Sequence, residues 1–215
     1  SQPSMTDVRY VGAERTGVWK ASGYGSEWEK KSSDMVPTWI NDIAQTTGDN
    51  PILYTATTSG VYISNNNGSS WNTYSDTATP RQATSIATNS ASNLVAYYGT
   101  DAGEIYATFD GGESFSLQWA GNGKPIKDIA VAPWFNIYAI TEGGQLLSSS
   151  DSGSNFFPLE GATGLNATQV VIDPTKPWVA YVSTADNGIF KTSTRGIEWE
   201  EVNLSLIHIW RTRLM

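Results

Sequence analysis

The feature that most constrains the fold of this chain is a segment that recurs five times. Every copy carries a glycine in a polar turn and an aromatic residue three positions later. The turn glycines are 43, 44, 41 and 43 residues apart, at Gly25, Gly68, Gly112, Gly153 and Gly196. A fixed period of this length indicates a repeat architecture, in which each unit packs against its neighbours.

Each complete repeat contains four strand-like runs. In the second repeat these runs are NDIAQ (41–45), PILYTA (51–56), GVYIS (60–64) and WNTYSD (71–76). Short runs that alternate or are continuously apolar are typical of buried strands. Four antiparallel strands in about 43 residues is the size of one β-propeller blade, so the sequence predicts an all-β propeller.

The repeats also predict how the chain is divided. We expect a partial blade over 1–34 that lacks its innermost strand, followed by complete blades at 35–80, 81–124, 125–166 and 167–203. This pattern favours an incomplete arc of a larger propeller, and a closed five-bladed ring is the alternative. Residues 204–215 break the repeat, and LSLIHI (204–209) resembles the translation of a sequencing adapter, so we expect a non-native or disordered tail.

Composition excludes several classes of function. The chain has 215 residues, no cysteine and a net charge of −8. The negative charge argues against nucleic acid as a partner, and no apolar run approaches the ~20 residues that a membrane span needs. The single histidine, His208, lies in the suspect tail. Cysteine–histidine or serine–histidine catalysis and a zinc site are therefore disfavoured, and we predict no metal and no cofactor.

The recurrent turns resemble the Asp-box, or bacterial neuraminidase repeat, which reads Ser/Thr-x-Asp-x-Gly-x-x-Trp. The resemblance covers about 200 residues and implies a propeller of the sortilin-like and xyloglucanase-like superfamily, with the turns on its outer rim. In the first copy Ala21 and Gly23 replace the hydroxyl and acidic residues. In the fifth copy Thr194 stands at the acidic position. The matching residues are Ser64, Asn66, Gly68 and Trp71; Thr108, Asp110, Gly112 and Phe115; Ser149, Asp151, Gly153 and Phe156; and Thr192, Gly196 and Trp199.

The turn chemistry has a local physical reading. Glycine tolerates a positive φ, and an Asp or Asn side chain accepts hydrogen bonds from backbone N–H groups further along the turn. The aromatic residue then covers the hairpin and packs between neighbouring blades. A calcium loop would need several carboxylates, which SNNNGSSW (64–71) lacks. We therefore interpret the turns as structural elements that do not bind a ligand.

Candidate ligand-binding residues lie in the other hairpins, between the second and third strands. Four of these loops carry a carboxylate, namely Glu14, Asp101, Glu142 and Asp186. Asp42 and Asp128 occupy equivalent positions near the start of the innermost strands. Together they predict a carboxylate-rich face suited to a sugar, a cation or a basic peptide. The alternative is that hairpin loops favour aspartate and glycine for their own geometry.

Enzymatic readings follow from the resemblance. A sialidase needs an arginine cluster, and the chain lacks the Arg-Ile-Pro motif of that family. The segment YYGTDAGEIY (97–106) is similar to the Thr-Asp-Val-Gly-Gly segment of xyloglucan-cleaving propellers, which would make Asp101 a catalytic carboxylate. Ala102 and Glu104 depart from that motif, and in that family the partner acid comes from a second propeller.

Non-enzymatic readings come from the same superfamily, whose sortilin-like members bind peptides and whose photosynthetic members act as assembly factors. The acidic balance of this chain argues against the basic patch of the assembly factors. We expect an extracellular or cell-surface bacterial propeller that binds a protein or a polysaccharide at its central face. The alternative is part of a glycoside hydrolase.

Overall fold

The computed structural model describes residues 8–13, 16–22, 27–35, 38–48, 50–74, 81–134 and 136–202. Glu14, Gly25 and the tail 204–215 lie outside these residues. Within the described ranges, the strands form five antiparallel sheets, one of three strands and four of four strands. One short 3-10 helix, Glu160–Ala162, is also present. In the described part of the chain, no helix has the length and apolar character that a membrane span requires.

The sheets follow the repeats. Sheet 1 holds β1 (Val8–Ala13), β2 (Gly17–Ser22) and β3 (Trp28–Lys30). Sheet 2 holds β4 (Ile40–Gln45), β5 (Leu53–Thr57), β6 (Gly60–Ser64) and β7 (Asn72–Tyr74). Sheet 3 holds β8 (Ala83–Thr88), β9 (Ala96–Thr100), β10 (Ile105–Thr108) and β11 (Ser116–Trp119). Sheet 4 holds β12 (Ile126–Val131), β13 (Ile137–Thr141), β14 (Leu146–Ser149) and β15 (Phe157–Pro158). Sheet 5 holds β16 (Ala167–Ile172), β17 (Ala180–Thr184), β18 (Ile189–Thr192) and β19 (Glu200–Glu201).

Neighbouring sheets pack face to face in chain order. β1 contacts β4, and the first strands of sheets 2 to 5 then contact one another in succession, from β4 to β8, β12 and β16. Each sheet is a simple up-and-down meander in which strands adjacent in sequence are adjacent in space. This is the blade arrangement of a β-propeller, with the first strand of sheets 2 to 5 innermost, and it confirms the predicted fold class.

The core lies between the sheets. Four buried clusters each combine residues from two consecutive sheets. The turn aromatics Trp71, Phe115 and Phe156 are buried in three of them, and Trp199 packs on the fourth. Trp71 shows the anchoring in detail, because its ring N–H donates to the Lys31 carbonyl of the preceding repeat at 2.6 Å. The turn aromatics therefore join one blade to the one before it, as the sequence predicted.

The four described turns share one hydrogen-bond pattern. In each, the hydroxyl that ends the third strand accepts the N–H of the turn glycine at 2.9 Å, as from Gly112 to Thr108. A second side chain then accepts an N–H four residues further on, and Asp110 receives Ser114 at 3.0 Å. Asn66 and Thr194 accept the equivalent N–H at 2.9 Å. Asparagine and threonine therefore replace aspartate without changing the turn.

The hydroxyl that ends the third strand is the buried member of this pattern, which leads to a stability prediction. Thr108 is 1% exposed, accepts the Gly112 N–H and donates to Asp110 Oδ1 at 2.7 Å. Thr108→Val keeps the shape but leaves the Gly112 N–H without its acceptor and removes one of the hydrogen bonds to the Asp110 carboxylate. We expect it to lower the free energy of unfolding by about 1–3 kcal/mol, measured by urea denaturation.

Thr108→Ser is the matched control, because it keeps the hydroxyl and loses only a methyl group. We expect its loss to be clearly smaller. Equal losses in the two variants would mean that packing, and not the hydroxyl, stabilises the turn.

Candidate functional site

The two ends of the sheets carry different kinds of loop. Ile40, the first residue of the innermost strand of sheet 2, pairs with Thr57, and Thr57 pairs with Gly60 across the hairpin between the second and third strands. These hairpins and the starts of the innermost strands therefore lie together, at the end that we call the loop face. The recurrent turns follow the other end of the third strands and lie at the opposite end.

Three of the predicted hairpin carboxylates lie on the loop face with exposed side chains, namely Asp101, Glu142 and Asp186. Backbone bonds fix their loops, because the Asp101 N–H donates to the Gln82 carbonyl at 3.1 Å and the Glu142 N–H to that of Pro125 at 2.7 Å. Each carboxylate belongs to a different sheet. Among the described residues, no three acidic or histidine side chains stand close enough to bind a metal ion. The structure thus brings the three to one face but not into one cluster.

Asp42 and Asp128 have a different environment. Each sits beside a register shift at the start of an innermost strand and is half-buried. Asp42 accepts the N–H of Ile86 in the next sheet at 2.9 Å, and Asp128 accepts that of Val170 at 2.7 Å. Both carboxylates therefore connect adjacent sheets whose innermost strands have no ladder between them. Their role as ligand-binding residues stays a prediction.

The same position in sheet 3 is occupied by a serine. Ser85 lies opposite Gly99 as Asp42 lies opposite Ala56, and it is 1% exposed. Within the described part of the chain, its hydroxyl and that of Thr84 have no hydrogen-bond partner. The oxygen of serine lies one bond closer to the backbone than the carboxylate oxygens of aspartate, so it reaches less far. The hydrogen bond that connects adjacent sheets at Asp42 and Asp128 is therefore absent at this position between sheets 3 and 4.

Burial perturbs these inner carboxylates. Desolvation raises the pKa of Asp128 to about 6, and the charge of Asp42 adds to this shift, while the N–H groups of Val170 and Ile129 oppose it. Desolvation also raises the pKa of Asp42. Exposed turn carboxylates behave in the opposite way, because hydrogen bonds, first from the Asn155 side chain, lower the pKa of Asp151 to about 2. The pKa of an aspartate in this chain is therefore raised or lowered according to its place in the repeat.

A cavity of about 280 Å³ opens on the loop face between sheets 4 and 5. Its polar lining comes from Lys124, Gln145, Thr163 and Asn166, and its apolar lining includes the buried Leu146. At its rim, the Asn166 side chain donates to Asp186 at 3.1 Å. A few polar groups over an apolar floor is the usual composition of a ligand-binding pocket. Sequence reasoning missed this cavity, because its lining comes from separate connections of the chain, and only Gly143-Gly144 hinted at an unusual loop.

A second, more open cavity of about 620 Å³ lies beside the fifth turn, against the third strand of sheet 5. Its lining includes Lys191, Thr194, Ile197 and Trp199. Neither cavity is lined by a predicted ligand-binding carboxylate. The smaller one lies on the loop face, where its lining residue Asn166 donates to Asp186, and we therefore place the candidate site there.

Comparison with known proteins gives a fold but no family. No protein-family model matches the chain, and no curated protein matches it. An ancestral GH74 enzyme superposes with a TM-score of 0.75 at 17% identity, over 94% of this chain and 30% of that one. The GH74 enzyme of Niastella koreensis gives 0.74 at 14% identity, over 91% and 36%. YCF48 bound to D1 peptide gives 0.67 at 15% identity, over 89% and 62%.

These solved structures are β-propellers, which confirms the fold class. The chain spans about a third of the length of the GH74 proteins and less than two thirds of YCF48. At these identities the likeness concerns the fold alone.

The raised pKa of Asp128 leads to a prediction about pH. Between its ordinary pKa and about 6, the folded state holds a proton that the unfolded state releases. The free energy of unfolding should therefore fall as pH rises from about 4 to 6, by at most about 3 kcal/mol from this residue. Asp128→Asn removes this titration and keeps an oxygen that can accept the Val170 N–H.

Urea midpoints across this pH range test the prediction. We expect the variant to show a weaker decline with rising pH, with a remainder from Asp42, whose pKa is also raised. A decline as steep as that of the parent chain would show that Asp128 is not responsible.

Proposed function

We propose that this chain is a recognition propeller that binds a protein or glycan ligand at its loop face. The observation that carries the proposal is the 280 Å³ cavity between sheets 4 and 5, with its polar rim and apolar floor. The exposed carboxylates of Asp101, Glu142 and Asp186 lie on the same face, with Asp186 bonded to the lining residue Asn166, and they favour hydroxyl groups or basic side chains. The likeness to YCF48, solved with a bound peptide, supports a protein ligand.

The proposal also covers the type of repeat and the location of the protein. We propose that the four described turns are Asp-boxes, on the strength of their shared hydrogen bonds and their buried aromatic residues. The polar side chains of the turns form their hydrogen bonds inside the same turn. We therefore propose that ligands bind at the loop face. An extracellular or cell-surface location stays part of the proposal, together with the predicted blade boundaries.

A second candidate is a fragment of a glycoside hydrolase with Asp101 as acid or base. The observation in its favour is the likeness of the fold to GH74 enzymes, one of them the xyloglucanase of Xanthomonas campestris. Asp101 stands exposed in its hairpin on the loop face, where a substrate could reach it. Glu104, which departs from the resembling motif, forms an ion pair with Arg81 at 2.9 Å. Its carboxylate is therefore engaged within the sheet.

Thr163→Trp tests the recognition site, because this exposed position lines the cavity and a large side chain would fill it. We expect binding of soluble xyloglucan, or of peptides selected against the parent chain by display, to weaken about tenfold or more. Thr73→Trp is the matched control, since Thr73 is exposed on β7 of sheet 2 and outside the cavity. Equal binding by both variants would remove the cavity as the site.

Asp101→Asn separates the two candidates. For a recognition propeller, we expect no release of reducing ends from xyloglucan by the parent chain, and binding that survives the substitution. Turnover by the parent chain that disappears in Asp101→Asn would instead support the hydrolase.

A further inference from the structure

One tyrosine recurs at the same register of every sheet, in the second strand of the repeat. The five residues are Tyr10, Tyr54, Tyr97, Tyr138 and Tyr181. In sheets 2, 3 and 4 the tyrosine is 0% exposed, and its ring lies against the turn glycine of the next sheet. A Cβ added to Gly112, Gly153 or Gly196 would come within 3.1 Å of the ring. Only glycine fits there without displacing the tyrosine.

The residue before each turn glycine completes the contact. Asn67, Gly111, Ser152 and Arg195 all have left-handed backbones, with φ between 57° and 80°. Where the tyrosine hydroxyl reaches this residue, it donates to its carbonyl, from Tyr10 to Asn67 at 3.2 Å and from Tyr97 to Ser152 at 3.0 Å. Among the described residues, the hydroxyls of Tyr54 and Tyr138 have no hydrogen-bond partner. We call each contact between neighbouring sheets a junction; all four place a left-handed residue and a glycine of the turn beside the preceding sheet, and two add this hydrogen bond.

A second contact of each junction matches side-chain size. The residue two positions after the tyrosine packs against the first residue of the innermost strand in the next sheet. A Cβ on Gly12 would lie 2.4 Å from Ile40, and one on Gly99 would lie 2.5 Å from Ile126. The other two junctions pair Ala56 with Ala83 and Ile140 with Ala167, in shared clusters. Isoleucine thus faces only glycine or alanine across a junction.

Sheet 5 presents the same positions to solvent. Ile189 is 39% exposed, whereas its equivalents Val61, Ile105 and Leu146 are at most 2% exposed. Val171 is 57% exposed, and Tyr181 is half-buried. A repeat that terminates an array normally carries a polar outer face. This face instead continues the pattern of the four buried junctions.

We propose that this face of sheet 5 is the acceptor half of a further junction, and that it binds another repeat of the same kind. The turn of that repeat would place a left-handed residue and a glycine over Tyr181. Its innermost strand would begin with a small residue, because Ser183 occupies the position of Gly12 and Gly99 and already carries a side chain. The inference does not depend on what the loop face binds.

The test extends the full chain at its C-terminus with a copy of one of its own repeats. A copy of 81–124 begins its innermost strand with alanine, and a copy of 125–166 begins with isoleucine. Nitration by tetranitromethane, followed by peptide mass spectrometry, reports the exposure of the Tyr181 phenol. In the parent chain we expect Tyr181 to react and the buried Tyr54, Tyr97 and Tyr138 not to react.

The 81–124 copy should lower nitration of Tyr181 about tenfold, since docking removes the phenol from solvent. The 125–166 copy should protect it less, and Ser183→Gly should restore that protection by making room for isoleucine. Replacing the glycine copied from Gly112 by valine is the matched control and should abolish protection.

Two results would overturn the proposal. Tyr181 that reacts equally in the parent and in both extended chains would show that the face accepts no repeat. Equal protection by both copies without Ser183→Gly would refute the size rule.

Discussion

The contact between a buried tyrosine and the turn glycine of the following sheet is the interaction on which the arrangement of the sheets depends. The innermost strands have no backbone ladder between sheets, so side chains must set how one sheet sits on the next. The ring lies so close to the glycine that an added Cβ would be only 3.1 Å from it, and in sheets 2 and 3 the turn aromatic Phe115 packs in the same cluster as Tyr54. Because the left-handed backbone before the glycine shapes that surface, the turn and the tyrosine specify one relative position.

The turns position neighbouring sheets, and this role explains why the most polar sequences of the chain are not binding loops. Ser64, Asn66 and Ser70 hydrogen-bond to one another and to the turn backbone, and the equivalent groups of the other turns do the same. Their hydrogen-bonding capacity is used locally, so they contribute stability at the end of the sheets opposite the loop face. The loop face has shorter hairpins fixed by backbone bonds, which leave the carboxylates of Asp101 and Glu142 exposed.

The fold could be predicted from the sequence because the same local pattern of strands and turns recurs five times. Strand order, the turn pattern and the burial of Trp71, Phe115 and Phe156 all follow from residues close together in the chain. The junction tyrosines were visible in the strand runs, but their partners are 55 residues away in the case of Tyr97 and Ser152. The cavity was not predictable either, since Lys124, Gln145 and Asn166 meet only when two sheets pack.

The aspartates show most clearly where sequence reasoning stops. Asp42, Asp101 and Asp128 belonged to one predicted acidic face, yet they differ in what surrounds them. Asp101 is exposed in a hairpin, whereas Asp42 and Asp128 each give up hydration to hold an N–H of the next sheet. That desolvation is what raises the pKa of the inner pair. Around pH 6, the protonation of Asp128 is therefore coupled to its hydrogen bond with Val170, and so to the packing of sheet 4 on sheet 5.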